Sequence, residues 1–171
     1  MAFTLETKRL LLREFTIEDA PYMLRQLNEA SFIKNIADRG VRTIQQAEDY
    51  LQHGAMASYQ KSGFGFWAVI EKSSAQIIGM CGLVQRDNLP AADLGYSLLP
   101  EYFGRGFAFE ATEACINAAK NAFNLPELLA IVNTANIPSR TLLEKLGFDL
   151  RRVTMQTADE PSLCIYGIDL N

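Results

Sequence analysis

The residues best equipped for chemistry lie between Pro100 and Ala111, where Gly104 and Gly106 separate an apolar run, Leu94 to Leu99, from a helix-like run that begins near Ala108. The order is strand, tight turn, helix. Glycine reaches backbone conformations closed to other residues and presents no Cβ to a ligand approaching the main chain. The unpaired amides and the dipole of the following helix face such a turn, which suits an anion, most naturally a phosphate or pyrophosphate. A short Gly-x-Gly is equally compatible with an ordinary strand-to-helix connection, so the rest of the chain has to decide.

Composition removes several alternatives. The chain has 171 residues, 49% hydrophobic and 21% charged, which fits one domain spanning 1–171 with a sizeable core. A net charge of −4 gives no general attraction to nucleic acid or to an anionic membrane, so neither is expected as a partner. Cys81, Cys115 and Cys164 are odd in number and widely spaced, and His53 is the only histidine. That set supplies neither a disulfide framework nor a metal site nor a Ser-His-Asp triad, and the apolar neighbours of each cysteine read as core. No run approaches the roughly 18 apolar residues of a membrane span, and the N-terminus lacks the apolar centre of a signal peptide, which points to the cytoplasm.

The elements that must position the turn follow from periodicity. Arg9 to Phe15 reads as a strand, and Thr16 or Asp19 can cap a helix running to about Asn28, with Pro21 in its first turn. Glu29 to Arg42 lacks clear periodicity, contains Gly40 and reads as a loop with at most a helical turn, suited to an acceptor-site lid. Thr43 to Gln46 forms a capping box, and a helix continues to about Lys61. Phe64 to Glu71, Gln76 to Val84 and Asp93 to Leu99 read as three antiparallel strands. A helix with a small-residue face, including Ala111, Cys115 and Ala119, leads into the strand Leu128 to Val132. That connection makes Leu128 to Val132 parallel to Asp93 to Leu99. Phe148 to Thr157 and Ser162 to Leu170 close the chain as a hairpin.

A second constellation lies in the helix from Asn136 to Phe148. Asn136 can cap it, Pro138 is tolerated in its first turn, and Gly147 suits the left-handed position that ends a helix. Structure alone accounts for most of these residues. Taken with the glycine turn, however, the chain resembles the GNAT superfamily of acyl-CoA-dependent N-acetyltransferases over essentially its full length. The signature Gln/Arg-x-x-Gly-x-Gly/Ala is matched by Phe103 to Ala108 except at its first position. The later signature, Asn-x-x-Ser followed by Lys-x-Gly-Phe, is matched by Asn136, Ser139, Lys145, Gly147 and Phe148. The opening Glu6 to Arg13, then Asp19-Ala20, looks like the branch containing ribosomal-protein N-terminal (alanine/serine) acetyltransferases, in which an aromatic commonly replaces the Gln/Arg of the signature, as Phe103 does here.

The resemblance implies an α/β fold with a mixed, mostly antiparallel sheet of about six to seven strands, flanking helices and a splayed central parallel pair. It implies acetyl-CoA as cosubstrate, no metal, an amine acceptor as partner, and a monomer or homodimer. The pyrophosphate would meet the backbone of Phe103, Gly104, Arg105, Gly106, Phe107 and Ala108, with Arg105 offering its charge. Main-chain groups of Leu98 and Leu99, with Asn136, would pair with the pantetheine arm. Arg140 and Lys145 would meet the adenosine phosphates, and Ser139 would stabilise the leaving thiolate. Many members carry a Tyr four residues after that Ser; this chain has Leu143. Glu110 and Asp93 are the carboxylates nearest the motif and the candidate bases, although each also suits a structural role.

An α-amine, with a reference pKa of about 7.7 to 8.0 against about 10.4 for Lys, is easier to deprotonate by about 3.4 kcal/mol. An α-amine therefore needs less help from a base, and with no Cys or Ser nucleophile system the reaction expected is direct attack of a primary amine in a ternary complex, the acceptor a protein N-terminus. A small amine, such as an amino acid, polyamine or antibiotic, is the alternative acceptor, and a non-catalytic acyl-CoA sensor the alternative to an enzyme.

Overall fold

The computed structural model describes residues 1–171. One eight-stranded sheet runs through the molecule in the order β1-β2-β3-β4-β5-β6-β8-β7. The strands are β1 (Thr4–Glu6), β2 (Leu10–Glu14), β3 (Phe66–Glu71), β4 (Gln76–Val84), β5 (Asp93–Leu98), β6 (Glu127–Asn133), β7 (Asp149–Val153) and β8 (Leu163–Asp169). Every neighbouring pair is antiparallel except β5 and β6. The sheet exceeds the expected count by β1, three residues with only Leu5 half-buried, too short to show alternation in sequence.

Strand alternation sorts side chains onto two faces, each with its own core. One face holds Trp67, Ile78, Cys81, Leu94 and Leu98 against α5 (Phe107–Asn121) and α6 (Ile137–Lys145). Ala111, Cys115 and Ala119 are at most 1% exposed, and their small side chains let α5 lie close to the strands. The other face packs Ala68 and Met80 against α1 (Ala20–Leu27), α2 (Ala30–Asn35) and α3 (Ile44–Leu51). The three cysteines are buried, as their apolar surroundings imply.

Local signals set most boundaries. Thr43 Oγ1 accepts from the Gln46 amide, and Gln46 Oε1 accepts from the Thr43 amide, completing the capping box that starts α3. The helix does not continue uniformly to Lys61: it widens into a π turn at Gln52–Met56 before α4 (Ala57–Ser62). The segment read as a loop contains α2, six residues anchored by the buried Phe32, a single inward residue that gives no periodicity to detect. Asp19 precedes α1, but its carboxylate takes hydrogen bonds from the Thr16 amide and the Arg13 guanidinium. Gly147, at φ +98°, ends α6 in the left-handed region.

Candidate active site

The parallel pair joins only at its start. Asp93 is the one residue of β5 in register with β6, opposite Leu129, and the strands part beyond it. Leu99 donates its amide to Ile78 on β4, so by alternation the amides of Leu98 and Tyr96 turn toward the gap. The gap is a wedge whose β5 edge carries unpaired main-chain groups, a surface that fits an extended, amide-bearing chain. The side chains of Leu98 and Leu99 are buried, and both main-chain groups of Leu99 are engaged, its amide with Ile78 and its carbonyl with the Tyr102 amide, so of the two expected residues only Leu98 turns backbone toward the gap.

The glycine turn follows directly from β5. Gly104 and Gly106 have φ of +71° and +81°, conformations that L side chains adopt only under strain. A Cβ on Gly104 would meet nothing within 4 Å, so the backbone there is open to a ligand. No side chain caps Gly106, and the amides of Phe107, Ala108 and Phe109 have no intrahelical acceptor. Two guanidiniums stand beside them: Arg9 lies 4.3 Å and Arg105 4.9 Å from the Phe107 ring centre, and Arg9 Nη1 donates to the Arg105 carbonyl. Arg105 also approaches Glu71 at 3.4 Å, and Phe103 is half-exposed at the lip of the turn. These donors and charges fit a pyrophosphate.

Across the wedge, the N-terminus of α6 presents Asn136 and Ser139. Asn136 Oδ1 accepts from the Ser139 amide, fulfilling its capping role. Ser139 Oγ lies 2.6 Å from the hydroxyl of Tyr96, so a hydrogen bond bridges β5 to α6. Burial pushes the Tyr96 hydroxyl up to about 12, against the bond to Ser139 that lowers it. Leu143 is 2% exposed and belongs to the core. Tyr96 was absent from the sequence reading, although it alternates with the apolar Leu94 and Leu98, a polar tip in an otherwise apolar strand face. Gln26 was also missed: fully buried on α1, it accepts from Tyr22 and donates to Ser97 Oγ (3.0 Å) and the Leu98 carbonyl (3.4 Å).

The remaining expected residues are distributed differently. Lys145 Nζ sits 4.9 Å over the Phe109 ring, next to the first turn of α5. Arg140 instead anchors α6, donating to the Thr134 carbonyl and the Tyr166 hydroxyl. Glu110 turns toward the β1–β2 connection, where it accepts from Thr7 Oγ1 (2.6 Å), the Arg9 amide (2.7 Å) and Arg9 Nε (2.7 Å). Burial works to raise its pKa, but these hydrogen bonds outweigh burial and hold it below the usual carboxylate range. Asp93 is buried at the apex and accepts from Arg86 Nε at 2.9 Å; burial raises its pKa against the pull of Arg86. The structure thus brings Tyr96, Ser139, Leu98 and the glycine turn together around the wedge and sets Glu110 and Arg140 apart from it.

Residues 9–149 match the family model described as an acetyltransferase (GNAT) domain. The chain belongs to the GNAT acetyltransferase family. The uncharacterized N-acetyltransferase YoaA of Bacillus subtilis (strain 168) is 30% identical over 155 residues, 89% of this chain and 86% of YoaA. The [Ribosomal protein uS5]-alanine N-acetyltransferase of Escherichia coli (strain K12) is 29% identical over 99 residues, 56% of this chain and 51% of that one. Among solved structures, the ribosomal L7/L12 α-N-protein acetyltransferase RimL in complex with coenzyme A superposes with a TM-score of 0.85, covering 98% of each chain at 14% identity. A GNAT chain with this sheet is an acetyl-CoA-dependent N-acetyltransferase, and the expected fold class, including its splayed parallel pair, is the observed one. No helix is long and apolar enough to cross a membrane.

Proposed function

We propose that this GNAT enzyme acetylates an α-amino group, on a peptide N-terminus, by direct attack within a ternary complex. The Tyr96–Ser139 bridge across the wedge carries the reading. The amides of Leu98 and Phe107 to Phe109, with Arg9, Arg105 and Lys145, hold the cosubstrate. Acetyl-CoA supplies the thioester; the amine nitrogen forms a bond to its carbonyl carbon while the carbon–sulfur bond breaks.

Tyr96 and Ser139 act at the departing sulfur. A hydroxyl at about 12 lies well above a thiol near 8.5, so full transfer of its proton would cost about 5 kcal/mol. Tyr96 therefore stabilises the thiolate as a hydrogen-bond donor, and the proton the thiolate finally takes is the one the amine gives up, relayed through water. Neither neighbouring carboxylate is free to collect it first: Glu110 is committed to Thr7 and Arg9, and Asp93 to Arg86. A site without a free base favours an α-amine over a lysine side chain.

Direct transfer is supported by the thiols. Cys81, Cys115 and Cys164 are at most 1% exposed, and burial raises the Cys115 thiol well above its ordinary range, so none is a ready nucleophile. The test is initial-rate kinetics of thiol release with acetyl-CoA and a panel of N-terminal peptides, N-blocked lysine peptides and small amines. Intersecting double-reciprocal lines with a free-N-terminus peptide are expected. Parallel lines, a trapped acetyl-enzyme, or a preference for N-blocked lysine peptides would overturn the reading.

A further inference from the structure

On the sheet face opposite α5, a cavity of about 530 Å³ opens between the helices and the strands β3 and β4. Its floor includes Phe66 and Met80, and its wall is the π turn at Gln52–Met56, which carries His53. Such widened turns recur at functional sites. The cavity borders the closed end of the wedge. The Phe66 ring lies over Gly95 of β5, so near that a Cβ there would stand 2.7 Å from Cζ. Arg86, another lining residue, is bonded to Asp93, the residue at which β5 and β6 part. The cavity thus lies on the sheet face away from α5, the helix that the glycine turn starts.

The charge of the cavity runs against that of the chain. The protein carries −4 overall, yet the sixteen lining residues include Arg39, Lys61 and Arg86 and no Asp or Glu. Arg86 commits only Nε to Asp93, leaving both terminal amino groups without a protein partner. Arg39 is exposed and makes no ion pair or side-chain hydrogen bond, and Lys61 has only a distant partner, Asp87, at 3.9 Å. Asp93 offsets part of the Arg86 charge from behind, but a cavity whose lining holds three cations and no carboxylate attracts an anionic ligand and disfavours a cationic one.

We infer that the acceptor amine carries an anionic group, a carboxylate or phosphate, received by Arg39, Lys61 and Arg86. The inference rests on acetyl transfer for its meaning but is tested by binding, which needs no turnover. The CoA-loaded protein is titrated calorimetrically with three tripeptide amides, Ser-Asp-Asp, Ser-Asn-Asn and Ser-Lys-Lys, and separately with phosphoethanolamine and ethanolamine. The expected order is anionic, neutral, cationic, with steps of about tenfold in Kd, as two or three partly exposed charges provide. Selectivity confined to the peptides identifies an acidic N-terminus as the source, and selectivity confined to the small amines a free anionic amine. Arg39→Gln, which breaks no ion pair or side-chain hydrogen bond, should weaken the anionic probe about fivefold and leave the neutral probe unchanged. Equal affinities for neutral and anionic probes, binding of none of the five, or an Arg39→Gln effect on both alike would overturn the inference. Absence of thiol release alongside charge-selective binding would instead overturn the acetyl-transfer assignment and leave the anion site standing.

Discussion

Replacing Tyr96 by Phe deletes one hydroxyl and keeps the ring that packs on the core under α5, so its effect isolates the hydrogen bond to the departing sulfur. With a pKa near 12, the hydroxyl is protonated throughout the working range and donates to a developing thiolate. A hydrogen bond to a charged group is worth about 1.5 to 3 kcal/mol, which predicts a kcat about 10- to 150-fold lower. The variant also leaves Ser139 Oγ without its 2.6 Å partner, at a cost of about 1 kcal/mol in stability. The measurement is thiol release at saturating acceptor with acetyl-CoA varied, giving kcat and KM separately, beside thermal unfolding of the same preparations. KM for acetyl-CoA should change little, because the hydroxyl acts on charge that exists only in the transition state. Ser139→Ala should lower kcat less, and the double variant should fall short of the product of the single losses, because the two hydroxyls share one bond. The wild-type kcat should also hold to about pH 10, where this hydroxyl is still protonated. A Tyr96→Phe enzyme with kcat within about twofold of wild type, or a loss expressed only in KM, would refute the reasoning.

Three further outcomes follow from the same geometry. Glu110→Gln should cost about 1 kcal/mol at pH 7, screened by its exposed partner Arg9, and leave kcat nearly intact; a large kcat loss at unchanged melting temperature would make Glu110 a base. Its folded pKa is depressed, so the stability it gives is present above the unfolded carboxylate value of 4.5 and is lost as pH falls through the lower folded value. The melting-temperature gap between wild type and Glu110→Gln should therefore close on acidification. Gly106→Ala forces a side chain into φ +81°, with its Cβ 3.3 Å from Arg9 Nη2, and should cost about 1 to 2 kcal/mol while weakening the thermal shift produced by CoA. Leu143→Tyr, which restores the Tyr frequent in the family, should not raise kcat: the site is 2% exposed and packed, so the larger side chain overpacks it by about 1 to 3 kcal/mol, read by thermal unfolding.

Much of the fold was legible because its signals are local. The Thr43–Gln46 box, the glycine ending α6 and the aromatic and β-branched composition of β3 and β4 are each written within a few neighbouring residues. α2 and β1 were not, because six and three residues are too few to display a period. The π turn was hidden for a different reason: Gln52 to Met56 keeps a helical composition, and no residue type in it marks the wider turn.

The same division holds for the site. By itself, the sequence determined that a glycine turn opens onto a helix N-terminus, that an Asn-x-x-Ser helix follows a second strand, and that no thiol or histidine system suits covalent catalysis. Those are properties of residue type and near spacing. Only the tertiary structure decided which partners those residues meet. Glu110 is held by Thr7 and Arg9, more than 100 positions away, and Tyr96 reaches Ser139 across 43. Arg39, Lys61 and Arg86 converge on one cavity from three separate segments. Burial fixes what such groups do, pushing the Tyr96 hydroxyl up and tying Asp93 to Arg86, and burial is a property of the packed sheet and not of the chain order.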